Sequence, residues 1–235
     1  MTSGVNIPHN KELFFLEFVS ALTDDVESNK NVYNKIADEY DDLARNVHFH
    51  SANHLARLCM DNLTESMKKN LDNCRVLDVA AGTGLFAEGL RAAGFTGRLD
   101  GVEGANGMCE IAREKGIYSD LRNGLITLEN PLSFDDDSYD VVVVSTALTP
   151  GHVPDECLFD CIRVLKSGGL LIFNTFLLAT TDPSGVKLKS TQRVVKKIED
   201  DGLCKRVVEL DDKMFDLDHQ YHKVSKNVLH CYQKN

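Results

Sequence analysis

Two stretches near the amino terminus carry apolar side chains at helical spacing. The first covers residues 11–22 and the second covers residues 31–43. Apolar positions recur there at intervals of about three and four residues: Phe14, Phe15, Phe18 and Leu22 in the first stretch, and Tyr33, Ile36, Ala37, Tyr40 and Leu43 in the second. This spacing predicts two amphipathic helices, each of which buries one face.

A mostly apolar run of strand character further along the chain breaks into a glycine turn. The run is Val76-Leu77-Asp78-Val79-Ala80-Ala81-Gly82-Thr83-Gly84, and residues 86–93 then return to helical spacing. Gly82 and Gly84 let the backbone turn sharply and approach a ligand closely. A strand, a glycine turn and a helix in this order present backbone N–H groups to a nucleotide-type ligand. The glycine pattern alone does not say which one, because dinucleotide-binding sheets share it.

Strand and helix patterns alternate after this turn. Strands are predicted at residues 97–103, 125–128, 141–144, 170–178, 205–210 and 227–233, and helices at residues 104–115, 154–164 and 186–201. The run from Val141 to Val144 is continuously β-branched, which is typical of a parallel strand buried on both faces. The alternation predicts an α/β domain with a doubly wound, mostly parallel sheet.

The length and charge of the chain narrow the functional classes. Its 235 residues suffice for one domain with a sizeable core. The net charge of -10 argues against a nucleic-acid partner, because nucleic-acid binders usually present a basic face. No signal peptide or membrane-spanning run is visible, so we expect a cytoplasmic protein without a membrane partner. Monomer and dimer both stay open.

The cysteines and histidines predict neither a disulfide framework nor a metal site. The seven cysteines are an odd number scattered through predicted helices and strands, which favours a reducing compartment. Cys157 and Cys161 lie four residues apart on a predicted helix, and one buried face explains this spacing better than metal ligation. His48, His50 and His54 have no acid or cysteine beside them at ligand spacing.

Two acids near the glycine turn indicate what it binds. Asp78 lies in the strand itself, where it would repel a diphosphate and hold a cationic or amine-bearing ligand. Glu103 ends the next predicted strand, where a carboxylate can accept hydrogen bonds from both hydroxyls of a ribose. A ligand with a ribose but without phosphates fits both acids. Asp78 therefore argues against NAD.

At these residues the sequence resembles the class I S-adenosylmethionine-dependent methyltransferases. Residues 78–84 stand where that superfamily has its D-x-A-x-G-x-G loop, and Glu103 stands where it has the ribose acid. Residues 136–144 (DDSYDVVVV) resemble the run into the fourth strand, and residues 164–170 (VLKSGGL) resemble the entry to the fifth. Within the superfamily, residues 31–41 and 115–121 are similar to the methyltransferase-like proteins first catalogued in the Williams-Beuren syndrome region. The resemblance implies no acceptor.

The resemblance implies a Rossmann-like seven-stranded sheet, mostly parallel with an antiparallel last strand, with helices on both faces and an N-terminal helical lid. The lid segment is residues 1–70 and the methyltransferase core is residues 71–235 of the same domain. S-adenosyl-L-methionine is the implied cofactor and S-adenosyl-L-homocysteine the product. The residues expected at the cofactor are Asp78, Ala80, Gly82, Gly84, Glu103, Gly104, Met108, Asn130, Ser145 and Tyr40.

The chain departs from the family pattern where the adenine amino group needs an acceptor. Many members carry an acid near the position of Leu128, so a backbone carbonyl, Glu129 or Asn130 has to serve instead. Met108 is expected to cover the adenine face, although a methionine there belongs to the core at least as often.

Acceptor chemistry is expected just after the fourth strand, because the ligand crevice of such sheets opens at the carboxyl ends of the strands. The expected catalytic residues are His152 in this loop and Tyr33 on the lid helix. If a general base is used, an imidazole titrates in the right range. Orientation of the acceptor contributes more to methyl transfer than a base does.

Three functional classes stay open at this stage. The favoured one is in-line methyl transfer to oxygen or nitrogen of a small-molecule acceptor, because the extra length forms a lid rather than a basic appendage. A protein methyltransferase would instead have an open acceptor groove. A non-catalytic S-adenosylmethionine-binding partner protein is the third, and an NAD oxidoreductase is disfavoured by Asp78.

Overall fold

One seven-stranded sheet runs through the described part of the chain. The computed structural model describes residues 21–46, 49–178, 186–212 and 224–235. The strands are β1 (Arg75–Val79), β2 (Arg98–Glu103), β3 (Asp120–Asn123), β4 (Tyr139–Val144), β5 (Leu165–Leu178), β6 (Cys204–Asp212) and β7 (Val224–Lys234), in the order β3-β2-β1-β4-β5-β7-β6. Strands β1 to β5 pair in parallel, and β7 is antiparallel to both β5 and β6. The predicted α/β fold with its antiparallel last strand is confirmed.

Helices cover both faces of this sheet. They are α1 (Val26–Asn46), α2 (Ser51–Asn62), α3 (Glu65–Lys69), α4 (Leu85–Ala92), α5 (Asn106–Glu114), α6 (Cys157–Val164) and α7 (Val186–Asp200), with a 3-10 turn at Leu71–Asn73. The predicted second helix is therefore longer than its apolar stripe. The helix predicted at residues 11–22 lies almost wholly outside the described residues.

The third strand differs from its prediction. It spans Asp120–Asn123 rather than residues 125–128, and it is the edge strand beside β2. An edge strand tolerates polar side chains, so the apolar pattern did not mark it. Beyond it the chain turns, because Thr127 and Asn130 exchange backbone N–H to carbonyl bonds of 3.2 and 3.3 Å.

The helix predicted from Pro154 begins later, at Cys157. Asp155 is buried and lies two residues before the start of this helix. Its carboxylate accepts a hydrogen bond of 2.7 Å from the Thr191 hydroxyl and pairs with the Lys187 ammonium at 2.8 Å. Because both partners lie on α7, Asp155 links the segment before α6 to α7.

Two apolar layers flank the sheet because successive strand side chains point to opposite faces. Val76, Val141 and Ile172 face the layer that contains α2 and α4. Leu77 and Val142 face the layer that contains α6 and part of α7. The alternation holds all of these strand residues in the buried core.

Helix α1 packs across the carboxyl-end side of the sheet through a small apolar cluster of its own. Ile36, Ala37 and Leu43 contact Ala105 and Met108 at the start of α5. The side-chain carbonyl of Asn34 accepts a 2.8 Å hydrogen bond from the Gly107 N–H, which adds a polar contact to the same junction. Helix α1 is therefore fixed to the start of α5 by both apolar and polar contacts.

The part of the chain described above has neither a membrane-spanning helix nor a candidate metal cluster. None of its helices combines the length and the apolar character that crossing a bilayer requires. No group of three or more histidine, cysteine, aspartate or glutamate side chains within it could hold a metal ion.

Candidate functional site

A cavity lies under α1, at the carboxyl ends of β1, β2 and β4. It encloses about 980 Å³ between atoms, including its open mouth. Six segments line it: the α1 face with Tyr33 and Tyr40, the start of α2 with Phe49 and Ala52, the glycine turn and the start of α4 (residues 80–83, 85 and 86), the end of β2 from Glu103 to Ala105 with Met108, residues 124–126, and the loop after β4 from Ser145 to Ala147 and from Gly151 to Val153. The strand order reverses between β1 and β4, which is where open α/β sheets bind ligands.

The glycine turn holds a strained backbone. Gly82 and Gly84 have φ angles of 57° and 91°, in the left-handed region that glycine adopts at no steric cost. Ala80 also has a positive φ of 59°, which an alanine adopts rarely. Such outliers cluster at ligand sites, because the surrounding fold must compensate for the strain.

Glu103 closes the turn from the neighbouring strand. Its two carboxylate oxygens accept 2.7 Å hydrogen bonds from the Gly82 and Ala105 backbone N–H groups. Burial raises the pKa of Glu103, while the N–H donors of Ala105, Gly82 and Gly104 act in the opposite direction. The carboxylate is thus fixed in the cavity wall, and its remaining lone pairs can accept hydroxyl groups.

Asp78 lies beneath the turn and is fully buried. One carboxylate oxygen accepts a 2.7 Å hydrogen bond from the Tyr118 hydroxyl. Burial raises the pKa of Asp78 to about 7, the Tyr118 bond lowers it and the charge of Glu103 raises it further. Asp78, the acid of the glycine-turn motif, is therefore held by Tyr118 and does not line the cavity.

A second acid ties the lid to the turn. The Thr83 hydroxyl donates a 2.5 Å hydrogen bond to Asp41 on α1, and the other Asp41 oxygen pairs with the Lys115 ammonium at 2.5 Å. Lys115 also pairs with Glu88 of α4 at 3.1 Å. One cluster of side chains therefore joins α1, the glycine turn and the end of α5.

Tyr33 and His152 meet across the cavity. The Tyr33 Oη and His152 Nε2 atoms are 2.8 Å apart, and His152 Nδ1 lies 2.7 Å from the Pro150 carbonyl oxygen. Burial lowers the pKa of His152, and the hydrogen bond to the Pro150 carbonyl acts in the opposite direction. Burial raises the pKa of Tyr33 well above its ordinary value. Both groups are therefore neutral near pH 7.

The loop after β4 is held by a row of buried polar side chains. Thr146 has a φ of 58°, and its N–H donates a 2.7 Å bond to the Asn174 side-chain carbonyl. Asn174 donates to Asn227 at 3.0 Å, and Asn227 donates to Asp212 at 2.9 Å. His54 Nδ1 lies 2.8 Å from the other Asp212 oxygen. The row crosses β5, β7 and β6 and reaches α2.

Comparison with known proteins places this geometry in a family. A family model described as a methyltransferase domain matches residues 77–173. Methyltransferase-like protein 27 of Homo sapiens is 32% identical over 186 residues, which cover 78% of this chain and 71% of that protein. The chain belongs to the class I S-adenosylmethionine-dependent methyltransferases. It is therefore an enzyme whose methyl donor is S-adenosylmethionine, as the resemblance implied.

Other similar proteins share parts of this methyltransferase. A demethylmenaquinone methyltransferase of Clavibacter sepedonicus is 34% identical over 43% of this chain and 41% of its own length. Among solved structures, the methyltransferase bound to the Haloferax volcanii Trm112 activator has a TM-score of 0.63 at 19% identity, covering 86% of this chain and 97% of that one. The geranyl diphosphate C-methyltransferase of Streptomyces coelicolor A3(2), solved with S-adenosyl-L-homocysteine, has a TM-score of 0.57 at 16% identity, covering 77% of each chain. These structures agree in fold.

The residues at the cavity suit the methyl donor of this family. A Cβ on Gly82 would meet no atom within 4 Å, so the turn leaves open space above its backbone. A buried carboxylate, Glu103, faces that space from the end of β2. These features match a ribose with two hydroxyl groups and offer no cationic side chain of the turn to a phosphate.

Most residues predicted for the site of this methyltransferase line the cavity. They are Ala80, Gly82, Glu103, Gly104, Met108, Ser145, Tyr40, Tyr33 and His152. The lining does not include Asp78, Gly84 or Asn130. Asn130 instead donates a side-chain hydrogen bond to the Leu125 carbonyl, and Leu128 is 59% exposed. The segment that lines the cavity near β3 is residues 124–126.

Several residues that shape this site were not predicted from the sequence. Asp41 and Lys115 close the lid, Tyr118 holds Asp78, and Asn174 holds the loop after β4. The local signals were that residues 31–41 and 115–121 resembled the closer relatives, and they carried no role for Asp41, Lys115 or Tyr118.

Proposed function

We propose that this methyltransferase transfers a methyl group to an oxygen or nitrogen of a small-molecule acceptor, with Tyr33 and His152 as its proton-handling pair. The observation that carries the proposal is the 2.8 Å contact between Tyr33 Oη and His152 Nε2 in the wall of the cavity. Tyr33 lies on helix α1 and His152 in the loop after β4, the two segments that we assign to the acceptor.

The hydrogen bonds of His152 define its tautomer. A carbonyl oxygen only accepts, so the Pro150 carbonyl requires the proton of the neutral ring on Nδ1. Nε2 then accepts the hydrogen bond from the Tyr33 hydroxyl. Tyr33 lines the cavity, and in this proposal its hydroxyl oxygen accepts the hydrogen of an acceptor O–H or N–H group.

The pair supports a proton relay during transfer. When bound, S-adenosylmethionine would supply an electrophilic methyl group to the lone pair of the acceptor, with S-adenosylhomocysteine as the leaving group. The acceptor proton passes to Tyr33 Oη while the phenolic proton passes to His152 Nε2. The resulting imidazolium keeps its Nδ1–H on the Pro150 carbonyl. Correct placement of the acceptor contributes most of the rate, and the relay adds the smaller factor of a general base.

The cofactor half of the proposed site is the glycine turn with the end of β2. We assign Ala80, Gly82, Glu103, Gly104, Met108, Ser145 and Tyr40 to direct contact with the cofactor. Asp78 acts from beneath the turn, Gly84 leads the turn into α4, and Asn130 is assigned no contact. Glu103 is the proposed acceptor for the ribose hydroxyls, because its carboxylate is fixed by two backbone donors.

The lid supports a small acceptor over a protein. Helix α1 contacts the core at three separated points: Asn29 donates to the Gly151 carbonyl at 2.9 Å, Asn34 accepts from Gly107, and Asp41 binds Thr83. We therefore propose that residues 1–70 form the lid segment and residues 71–235 the core of one domain. A cytoplasmic location is a further proposal, which rests on seven cysteines that are all buried free thiols.

The test uses S-adenosylmethionine with a trideuterated methyl group. The full chain is incubated with a cell extract that ultrafiltration has divided into small molecules and macromolecules. We expect the label in a small molecule, on oxygen or nitrogen when the product is resolved by mass spectrometry and NMR. Label only in macromolecules would contradict the small-molecule acceptor, and label on carbon would contradict the proposed atoms.

The same assay tests the relay. Tyr33→Phe and His152→Ala should each lower turnover about 10²-fold or more while S-adenosylhomocysteine still binds. His50→Ala, outside the cavity lining, is the matched control and should leave turnover unchanged. Unchanged turnover in both variants would remove the relay from the mechanism without affecting the acceptor class.

A further inference from the structure

Tyr118 lies under the glycine turn and is bonded to its buried acid. Its hydroxyl donates a 2.7 Å hydrogen bond to one oxygen of Asp78, at the carboxyl end of β1. Tyr118 follows α5 along the chain, so the contact joins the second half of the cofactor region to the first strand. Forty residues separate the two partners.

Two glycines make room for the tyrosine ring. A Cβ on Gly101, which pairs with Asp78 across β2, would lie 2.9 Å from the ring. A Cβ on Gly84 would lie 3.3 Å from it. A side chain at Gly101 could fit only if the ring moved, and one at Gly84 would press on it. The ring thus occupies a space that the turn and β2 leave for it, which fixes the direction of the hydroxyl.

The other oxygen of Asp78 is an acceptor without a donor. It is buried, and no hydrogen-bond partner for it is found among the residues that the structure describes. Two titratable groups bear on the carboxyl: Tyr118, whose bond favours the ionised form, and Glu103, whose negative charge disfavours it. Burial raises the pKa of Tyr118 well above its ordinary value, so Tyr118 remains a donor across the working pH range.

We propose that Tyr118 is a positioning residue that keeps Asp78 ionised beneath the glycine turn, and that the charge of Asp78 sets the affinity of the turn for a cationic cofactor. The inference rests on the proposed cofactor site. Asp78 acts through the backbone of the turn rather than by touching the ligand, since it does not line the cavity.

The charge of the ligand determines how strongly its affinity depends on the ionisation of Asp78. S-adenosylmethionine carries a methyl group and a positive charge on its sulfur that S-adenosylhomocysteine lacks, and the rest of the two molecules is the same. A negative charge in a poorly solvated site interacts strongly over a few ångströms. Ionised Asp78 should therefore favour the methyl donor over its product, and this preference should disappear when the carboxyl is protonated.

The experiment is calorimetric titration of the full chain with both ligands between pH 5.5 and 8.5, roughly the range around the pKa of about 7 that burial gives Asp78. In the wild type, S-adenosylmethionine should bind about tenfold more weakly below this pKa than above it, with a smaller change for S-adenosylhomocysteine. Tyr118→Phe removes a bond that favours the ionised carboxyl, so the transition should move up by roughly one pH unit. The ionisation of each ligand is identical for both proteins, so a displaced transition belongs to the protein.

Tyr139→Phe is the matched control. The Tyr139 hydroxyl donates a 2.9 Å hydrogen bond to buried Asp100, so the variant deletes the same kind of bond in the same sheet. Tyr139 does not line the cavity, and its variant should leave the transition in place. Asp78→Asn should abolish the transition, whereas Glu103→Gln should retain a displacement by Tyr118→Phe.

The outcomes separate this inference from the proposed function. If neither ligand binds the wild type at any pH, the proposed cofactor site is wrong. If both bind and Tyr118→Phe follows the wild-type pH profile, or if Tyr139→Phe displaces it equally, Tyr118 has no positioning role. Thermal unfolding of each variant at the titration pH identifies any loss of fold.

Discussion

Asp41 Oδ1 lies 2.5 Å from Thr83 Oγ1, and this bond joins the helix above the cavity to the turn below it. The second Asp41 oxygen pairs with Lys115, whose side chain is largely buried. A charged hydrogen bond with restricted access to water is stronger than one on the surface. Release of a bound cofactor past α1 is therefore expected to require that this cluster opens.

Asp41→Asn should accelerate cofactor release. The asparagine keeps an acceptor for Thr83 but loses the charge that holds Lys115, so we expect S-adenosylhomocysteine to dissociate about five to ten times faster. Stopped-flow displacement measures this rate. Asp42→Asn is the control, because Asp42 is exposed and pairs with Arg45 on the outer face of the same helix. Equal rates in the two variants would show that the cluster does not retain the ligand.

Glu103→Ala should weaken both cofactor forms. The substitution removes the carboxylate that fixes Gly82 and Ala105 and that we assign to the ribose hydroxyls. We expect at least a tenfold loss of affinity, about 1.4 kcal/mol, for S-adenosylmethionine and S-adenosylhomocysteine in calorimetric titrations, with NAD as a negative control. Glu110→Ala, an exposed acid on α5, should bind both ligands normally. An affinity that Glu103→Ala leaves intact would place the ribose elsewhere.

Asp78 should make the ligand-free protein less stable as the pH rises. Burial raises its pKa from 3.8 to about 7, so the folded chain binds a proton that the unfolded chain releases. This contribution to the free energy of unfolding is complete below pH 3.8 and is lost as the pH rises through 7. Asp78→Asn cannot ionise, and its stability relative to the wild type should increase by up to about 4 kcal/mol between pH 4 and pH 8. Urea unfolding at these two pH values measures the difference, and a constant difference would contradict a raised pKa.

Asn174 should stabilise the loop after β4 as part of a connected row. Asn174→Ala leaves the Thr146 N–H and the Asn227 side chain without their partner, which should cost about 2 to 3 kcal/mol of unfolding free energy. Asn227→Ala should cost a similar amount. Because the two residues share one network, the double variant should lose clearly less than the sum. Additive losses in urea unfolding would mean that the row does not act as a unit.

The parts of the site that sequence reasoning found are those written in one short stretch. The glycine turn and its acid lie within residues 78–84, so strand β1 brings Asp78 and the turn together at its carboxyl end. Glu103 was found because a parallel neighbour must end at the same edge of the sheet. Tyr33 and His152 were each predicted to face the cavity, and the contact between them is a product of the folded structure.

The parts that sequence reasoning missed depend on partners far apart in the chain. Asp41 and Thr83 are 42 residues apart, and Tyr118 and Asp78 are 40 apart, so no local spacing marks them. The third strand was misplaced because its edge position lets it carry Asp120 and Arg122. The helix predicted from residue 154 begins at Cys157, and Asp155 before it contacts Thr191 and Lys187 of α7, more than 30 residues along the chain.

The row of polar side chains from Thr146 to His54 links the loop after β4 to strands that are synthesised last. The cofactor half draws only on residues up to Ile126 and on Ser145, together with the lid contact at Asp41. The strained turn at Thr146 is held by Asn174, which in turn needs Asn227 and Asp212 from β7 and β6. We therefore expect that, during synthesis, the proposed acceptor loop acquires its fixed shape only after β6 and β7 have joined the sheet.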